Sequence, residues 1–593
     1  MLNAFENIGL SDLDQAILKT FPNNKKALRG LVSVPEATKT TSAPATNLEQ
    51  LETLQENFNQ GNFSKAITQA KLIVKVFPNN FKVWNILGIS LAKLGKPDLA
   101  VDAFKRVTVL NPNDHNGFNN LGISLKDQGE YDEAIQAFKQ AISKKPRFFE
   151  AYFNYGNVLK AKRDFNTAID KYKQVLEIEP THLNACLNMG ASYKELDRFK
   201  TALDIFYNLL SYEPNHEGAQ ISIAEILSKQ GNTREATRIL KKALNQNPNS
   251  AELHDAVAST LFIDGRLEDA RVYLEKSLRL KFDLDTLEIF YGLCIQLKSK
   301  NFKINTFLKH EDHTLSLKLT KSPMYQIYQA IEAYLLEDFH QARASLENYG
   351  NCNLKDLEAL SKKNAIFCKG YQQFLQRLLI RPIQSHLSDS RLVYHIGESH
   401  CLSYAHQKIK LNNKEHKITP LITFGGKAFH FSKKGSNKFK EITKQHLRSA
   451  PKKSQIFVSF GEIDCRAGEG FLRASERTQS SIKKIIVHTV KSYVKWFEKQ
   501  NKNYNHTLHF FNVPAPVYNH NIDSNLNSNV AKVVSLFNTE LKNQLKIYGF
   551  RLVDVYKYTV DANGFSNGLF HIDKFHLGNY LLTEIEKQIN TNY

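Results

Sequence analysis

Prolines stand at positions 78, 112, 146, 180, 214 and 248, each 34 residues from the last. Two further rows keep the same phase. Alanines recur at 66, 100, 134, 168, 202, 236 and 270, and small residues at Gly88, Gly122, Gly156, Gly190, Ala224 and Ala258. A fixed period of this length means that one supersecondary unit is copied along the chain, each copy burying its apolar face on the next. Every unit reads as two amphipathic helices. The small residue lets the pair approach closely, the later alanine packs back against it, and the proline ends the second helix or opens the turn into the next unit. The units run 47–80, 81–114, 115–148, 149–182, 183–216, 217–250 and 251–284.

Period and small-residue signature together resemble the tetratricopeptide repeat family. The resemblance implies an all-α, right-handed superhelix whose concave face, lined by first helices, takes a protein or peptide partner. Asn120, Asn154 and Asn188 recur at one position of successive first helices. Amides in such a row can hydrogen-bond an extended peptide backbone without reading its side chains; the plainer account is that they solvate or cap. Trp84, Phe118, Tyr152 and Cys186 form another row, assigned to packing between helices.

Residues 1–46 read as a short helix, Ser11 to Thr20, followed by a linker from Ser33 to Thr46 rich in Thr, Ser, Ala and Pro. Across 285–390 the period fades into degenerate helical repeats. Ala330 and Ala342 keep the spacing of one repeat, Leu357 to Leu379 is expected to be helical and to cap the array, and Arg381-Pro382 to Ser390 is the expected boundary.

From Arg391 to the C-terminus the texture changes. Short apolar runs (Leu392–Ile396, Ile418–Phe424, Ile456–Phe460, Leu508–Val513, Leu552–Val555) alternate with helical stretches at Ser481–Gln500 and Asn529–Tyr548. Alternation of this kind predicts an α/β domain with a parallel sheet covered on both faces, and places chemistry at the carboxyl ends of the strands. Polar or glycine-bearing segments stand at four of those ends: Gly397-Glu398-Ser399-His400, Gly425-Gly426, Gly461-Glu462-Ile463-Asp464 and Asn512-Val513-Pro514. Asp573 and His576 follow in the last loop. A serine on a tight strand-to-helix turn, with Asp and His later in the chain, is what acyl transfer needs. The hydroxyl is a weak nucleophile until an imidazole takes its proton, and a carboxylate must hold that imidazole in the right tautomer.

These blocks, in this order over about 200 residues, resemble the SGNH (GDSL-type) hydrolase family, and the resemblance implies a three-layer α/β fold. Gly397-Glu398-Ser399 stands where the family has Gly-Asp-Ser, which makes Ser399 the nucleophile. Gly425 or Gly426 is the second-block glycine, and its N–H with that of Ser399 would form the oxyanion hole. Asp573 and His576 keep the final Asp-x-x-His. The third block departs from Gly-x-Asn-Asp, because Ile463 occupies the Asn position. A lost side-chain donor of this kind costs about 10²–10³ in rate. Arg466, two residues beyond Asp464, is a candidate replacement, and Glu398 can brace the serine turn as Asp would.

Charge is uneven. The chain carries +20 overall. Residues from Arg391 onward hold 30 Lys and Arg against 15 Asp and Glu, whereas Asn47 to Leu284 is nearly neutral. An anionic glycan would suit the basic domain; no motif points to nucleic acid. His395, His400 and His571 flank the candidate site but share no helical face with a carboxylate, so no metal is expected, and no cofactor. Cys401 falls past the serine turn and reads as a small packed group. The six cysteines are scattered without a Cys-x-x-Cys spacing, which favours reduced thiols and a cytoplasmic setting. The N-terminus lacks the pattern of a signal peptide, and no apolar run is long enough to span a bilayer. The expected function is an esterase-type hydrolase of an acyl ester, O-acetyl on a carbohydrate being one such ester, with the repeats recruiting a protein. The alternatives are a non-catalytic adaptor with a degenerate hydrolase-like domain, or a sugar O-acyltransferase.

Overall fold

A computed structural model describes residues 48–297, 321–353, 357, 360–380 and 391–591. The expected Ser11–Thr20 helix, the Ser33–Thr46 linker and the boundary at 381–390 lie outside the described residues. Within the array each unit is a helical hairpin, for example His115–Gln128 with Tyr131–Lys144 and Phe149–Ala161 with Phe165–Ile178. The prolines sit in the turn after the second helix, as Pro78 does between Phe63–Val76 and Phe81–Lys93.

The small-residue row has a direct steric cause. A Cβ on Gly122 would stand 2.6 Å from the Phe138 ring, and Gly88, Gly156 and Gly190 meet Phe104, Tyr172 and Phe206 in the same way. In the last two units the row changes to Ala224 and Ala258, and the residues sixteen places on become Leu240 and Leu274 instead of aromatics, all four buried. A methyl is accepted where the ring is gone. A second periodic feature is a left-handed residue closing the first helix of each unit, at 61, 95, 129, 163, 197, 231 and 265. Five of these are glycine; Arg163 and Asp197 hold the same conformation at φ 63° and 57°, a strained backbone for a residue with a Cβ.

The C-terminal region forms one six-stranded sheet from β1 (Arg391–Gly397), β2 (Lys408–Leu411), β3 (Lys414–Ile422), β4 (Gln455–Ser459), β5 (Thr507–Phe511) and β6 (Arg551–Val553). The order is β2-β3-β1-β4-β5-β6. All pairs are parallel except β2 with β3, so the expected parallel sheet is in fact mixed. The extra strand belongs to a hairpin turned by Asn412 and Asn413, both at positive φ (52° and 60°), the pairing that a tight primed turn requires. Alternate strand residues face opposite cores. Ile396, Val458 and Phe510 join Tyr493, Phe497 and Phe537 of the helices Ile482–Asn501 and Ser524–Tyr548. Val393, Phe457 and Phe511 join Ile585 and Ile589 of Leu582–Thr591.

Contacts group the chain into two compact units, Met1–Ile226 and Leu227–Tyr593, with the division inside the helix Glu217–Lys229. A repeat touches only its neighbours, so the later repeats group with what they themselves touch. Within the second unit the helices Pro323–Leu335, Phe339–Gly350 and Lys362–Leu379 lie against the sheet domain. The Phe424 ring packs against Tyr328, Phe367 and Tyr371, its N–H donates to Gln296 Oε1 at 3.1 Å, and Lys417 pairs with Glu337 at 2.6 Å.

Candidate active site

The site forms where β1, β3 and β4 end. Gly397 closes β1 against β4 so tightly that a Cβ there would lie 2.3 Å from Ser459 Oγ, and its carbonyl accepts Thr423 N–H at 2.7 Å, pinning the loop after β3 beside the serine turn. Ser399 opens a 3₁₀ turn, Ser399–Leu402, and is buried. At the far end of the chain the Asp573 carboxylate accepts the backbone N–H groups of Phe575 and His576, each at 2.8 Å, winding its loop into a tight turn. The same carboxylate holds His576 Nδ1 at 2.8 Å, and His576 Nε2 lies 2.8 Å from Ser399 Oγ. Nδ1 therefore carries the proton it donates to Asp573, and Nε2 is left to accept from the serine.

The electrostatics follow from burial and pairing. Burial works against charge on Asp573, but His576 and the two backbone donors outweigh it and hold the carboxyl well below the usual range. Burial lowers the His576 pKa, with Asp573 opposing. Glu398 is drawn down to about 2 in spite of its burial, by His400 and Arg466, and so is ionised. Its carboxylate accepts a hydrogen bond from Ser399 Oγ itself. Besides any bracing of the turn, Glu398 is thus a second acceptor, with His576, beside the single serine proton. His400, whose Nε2 donates to the Phe575 carbonyl at 2.8 Å, has its pKa raised: burial opposes the shift and Glu398 drives it.

The supporting residues take more specific places than spacing alone conveyed. Asp464, fully buried, accepts the N–H groups of Ala428 and Phe429 at 2.7 and 3.2 Å, so it ties the loop after β4 to the start of the helix Ala428–Ser432 that follows the glycine loop. Arg466 is engaged bidentately by Glu462 through Nε and Nη2 and lies over the Phe575 ring at 4.1 Å. Gly426 N–H donates to the Thr423 carbonyl at 3.0 Å, and Gly425 is exposed at φ 66°. Ile463 is buried and offers no donor.

Beside the serine turn lies a chamber of about 30 Å³ whose lining includes Glu398, His400, Gly426, His395, Ser403 and Tyr404. His395 Nδ1, Ser403 Oγ and Tyr404 Oη are buried without a hydrogen-bond partner, and burial depresses the His395 pKa to about 3, so this ring is neutral. The space holds about two water molecules. Among the described residues no group of three His, Cys, Asp or Glu side chains is placed to hold a metal ion, and no helix is long and apolar enough to cross a membrane.

The residues that the sequence did not reveal come from outside the sheet domain. The Phe374 ring, on Lys362–Leu379, stacks on His576 at 3.8 Å between centroids and 15° between planes. Arg377 donates to the Ile572 carbonyl and stands 3.9 Å from Asp573. Tyr371, one turn earlier, is buried with its hydroxyl unpartnered, near enough to Glu398 for that charge to help raise its pKa beyond the effect of burial. Spacing of three residues placed them on one helix face, but nothing local said what that face meets.

In the repeat array, Asn120, Asn154 and Asn188 are half-buried and bonded across neighbouring first helices. Their amides donate to Asn85, Asn119 and Asn157 at 3.4, 3.0 and 3.0 Å, and Asn188 also accepts from Lys160. Much of the row's hydrogen-bonding capacity is thus used in joining repeats.

Profiles of the tetratricopeptide repeat family match residues 55–115, 124–163, 149–182 and 195–259. Residues 55–259 therefore carry tetratricopeptide repeats, a class whose stacked helices present extended surfaces to other proteins. Among solved structures, MamA is 25% identical over 28% of this chain and 92% of its own, with a TM-score of 0.28. A tetratricopeptide repeat protein from Parabacteroides merdae ATCC 43184 is 16% identical over 41% of this chain and 97% of its own, with a TM-score of 0.38. No curated protein matches the chain.

Proposed function

We propose that the C-terminal domain is a serine esterase of the SGNH type acting on short acyl esters, and that the repeats recruit the protein that bears or delivers the substrate. The observation that carries this reading is the relay Asp573–His576–Ser399, with 2.8 Å at each step. In the reaction, His576 Nε2 takes the Ser399 proton as Oγ attacks the acyl carbonyl. The tetrahedral oxyanion is held by the N–H groups of Ser399 and Gly425. The alcohol leaves with the proton from His576, and water then releases the carboxylic acid by the same steps. A short acyl ester is the simplest substrate to try first at so buried a serine. The basic surface leaves an anionic glycan as the kind of alcohol to try first, with a sugar hydroxyl in place of water making the same site a transferase.

Turnover of p-nitrophenyl acetate by the wild type against Ser399→Ala tests this. A rate that falls to background in the variant is expected; equal rates would sink the esterase reading. Two observations favour the adaptor reading instead: Ser399 is 5% exposed, and the third block carries Ile463 in place of a donor. Under that reading both proteins show background rates while the repeats still bind a partner.

A further inference from the structure

We propose, resting on the esterase reading, that the helix Lys362–Leu379 is a working part of the active site, with Phe374 and Arg377 as its positioning residues. The helix lies outside the sheet domain in sequence, yet two of its side chains bear on the relay from one face. Phe374 is itself 1% exposed and lies flat on the imidazole. A ring held parallel at 3.8 Å leaves the imidazole its in-plane hydrogen bonds to Asp573 and Ser399 and blocks tilting out of that plane. It also excludes water from that face. Arg377 acts one step further out. Its guanidinium holds the Ile572 carbonyl and faces Asp573 at 3.9 Å, fixing the turn from which the carboxylate reaches His576. The helix is itself anchored, through the contacts of Phe367 and Tyr371 with Phe424 at the end of β3. Catalytic side chains keep productive geometry only when the residues behind them are locked in this way.

The charged and titratable groups facing His576 are Asp573 from its own turn, Glu398 and His400 from the serine turn, and Arg377, through Asp573, from the helix; Glu462, Arg466 and His571 stand in the next shell. Phe374 adds no charge to this set, so its effect on the imidazole is cover and orientation. The base is the neutral imidazole. Letting water reach it restores part of the ordinary pKa, which moves the acid limb of the rate profile to higher pH.

The test is kcat and KM for p-nitrophenyl acetate between pH 4.5 and 8.5, on full-length wild type, Phe374→Leu, Phe374→Tyr and Arg377→Met. Beside it runs the rate of diethylpyrocarbonate acylation of His576, read by mass spectrometry. Phe374→Leu keeps the volume filled but loses the flat face. It should lower kcat about 10- to 100-fold with KM changed less than about twofold. It should also shift the acid limb upward and speed acylation of His576. Phe374→Tyr, which keeps the flat ring, should restore all three readouts, and Arg377→Met should lower kcat without exposing His576. If the wild type turns over and Phe374→Leu matches it in kcat, pH profile and acylation, the positioning role is overturned and the esterase reading stands. If no protein turns over, the esterase reading fails, and equal acylation of His576 in all variants then removes the cover as well.

Discussion

The hydroxyl of Ser399 has one proton and two acceptors beside it, the Glu398 carboxylate and His576 Nε2. Attack on an ester needs that proton on the imidazole side, so orientation of His576 decides whether the arrangement is productive. Asp573 supplies the orientation by fixing the proton on Nδ1. Asp573→Asn would keep the fit but let the ring take the other tautomer, with Nε2 protonated and unable to accept. Under the esterase reading kcat then falls about 10⁴-fold, with thermal unfolding little changed; a loss smaller than tenfold in steady-state rates would speak against the relay. The pH sense follows from the shift of His576. Burial sets its pKa below the ordinary value, so under the esterase reading the neutral base persists further into acid than a free histidine would allow, and the acid limb of the rate profile is expected below that of a free imidazole. Ser399, Asp573 and His576 stood out in the sequence by residue type and by their place at strand ends and in the last loop, and the fold brings the three within hydrogen-bonding distance. The contact of Glu398 with the Ser399 hydroxyl did not stand out, since a side chain's rotamer depends on what packs round it.

At the scale of the helical hairpin, the fit of glycine to an aromatic ring fixes how closely the two helices approach. Gly122→Ala sets a methyl 2.6 Å from Phe138. The gain in helix propensity, about 1 kcal/mol, is smaller than the overpacking cost of about 1–3 kcal/mol. Combining it with Phe138→Leu recreates the alanine–leucine pair seen at Ala258 and Leu274. Urea denaturation of the two single variants and the double should therefore give a favourable coupling of about 1 kcal/mol. Simple additivity would show that the row is set by something other than this contact. The helices, their pairing and the turn prolines could be read from the period, because each contact lies within about one unit of sequence. The strand β2 has no sequence signature of its own. Lys408-Ile409-Lys410-Leu411 is too short to carry a pattern by itself, and only its pairing with β3 through the Asn412-Asn413 turn makes it a strand.

For the whole molecule, the sheet domain and the helices that precede it in sequence share contacts through the end of β3. Phe424→Ala removes a ring that touches Tyr328, Phe367 and Tyr371, and the half-buried position sets the cost at about 2 kcal/mol. Hydrogen exchange should then show faster exchange in Lys362–Leu379 and in the Asp573–His576 turn together. Loss of protection confined to the β3 end would mean that helix and turn are stabilised separately. The recurrence of proline, alanine and glycine every 34 residues determined the helical array without reference to anything distant, because its contacts are local and repeated. The Ser399 and Asp573–His576 blocks likewise could be picked out as candidates from residue type and position alone. Which residues stand behind those groups was decided only by the tertiary structure. Phe374 meets His576 across some two hundred residues of chain, and no local pattern records a contact that exists only once the sheet has brought the two ends of its domain to the same helix face.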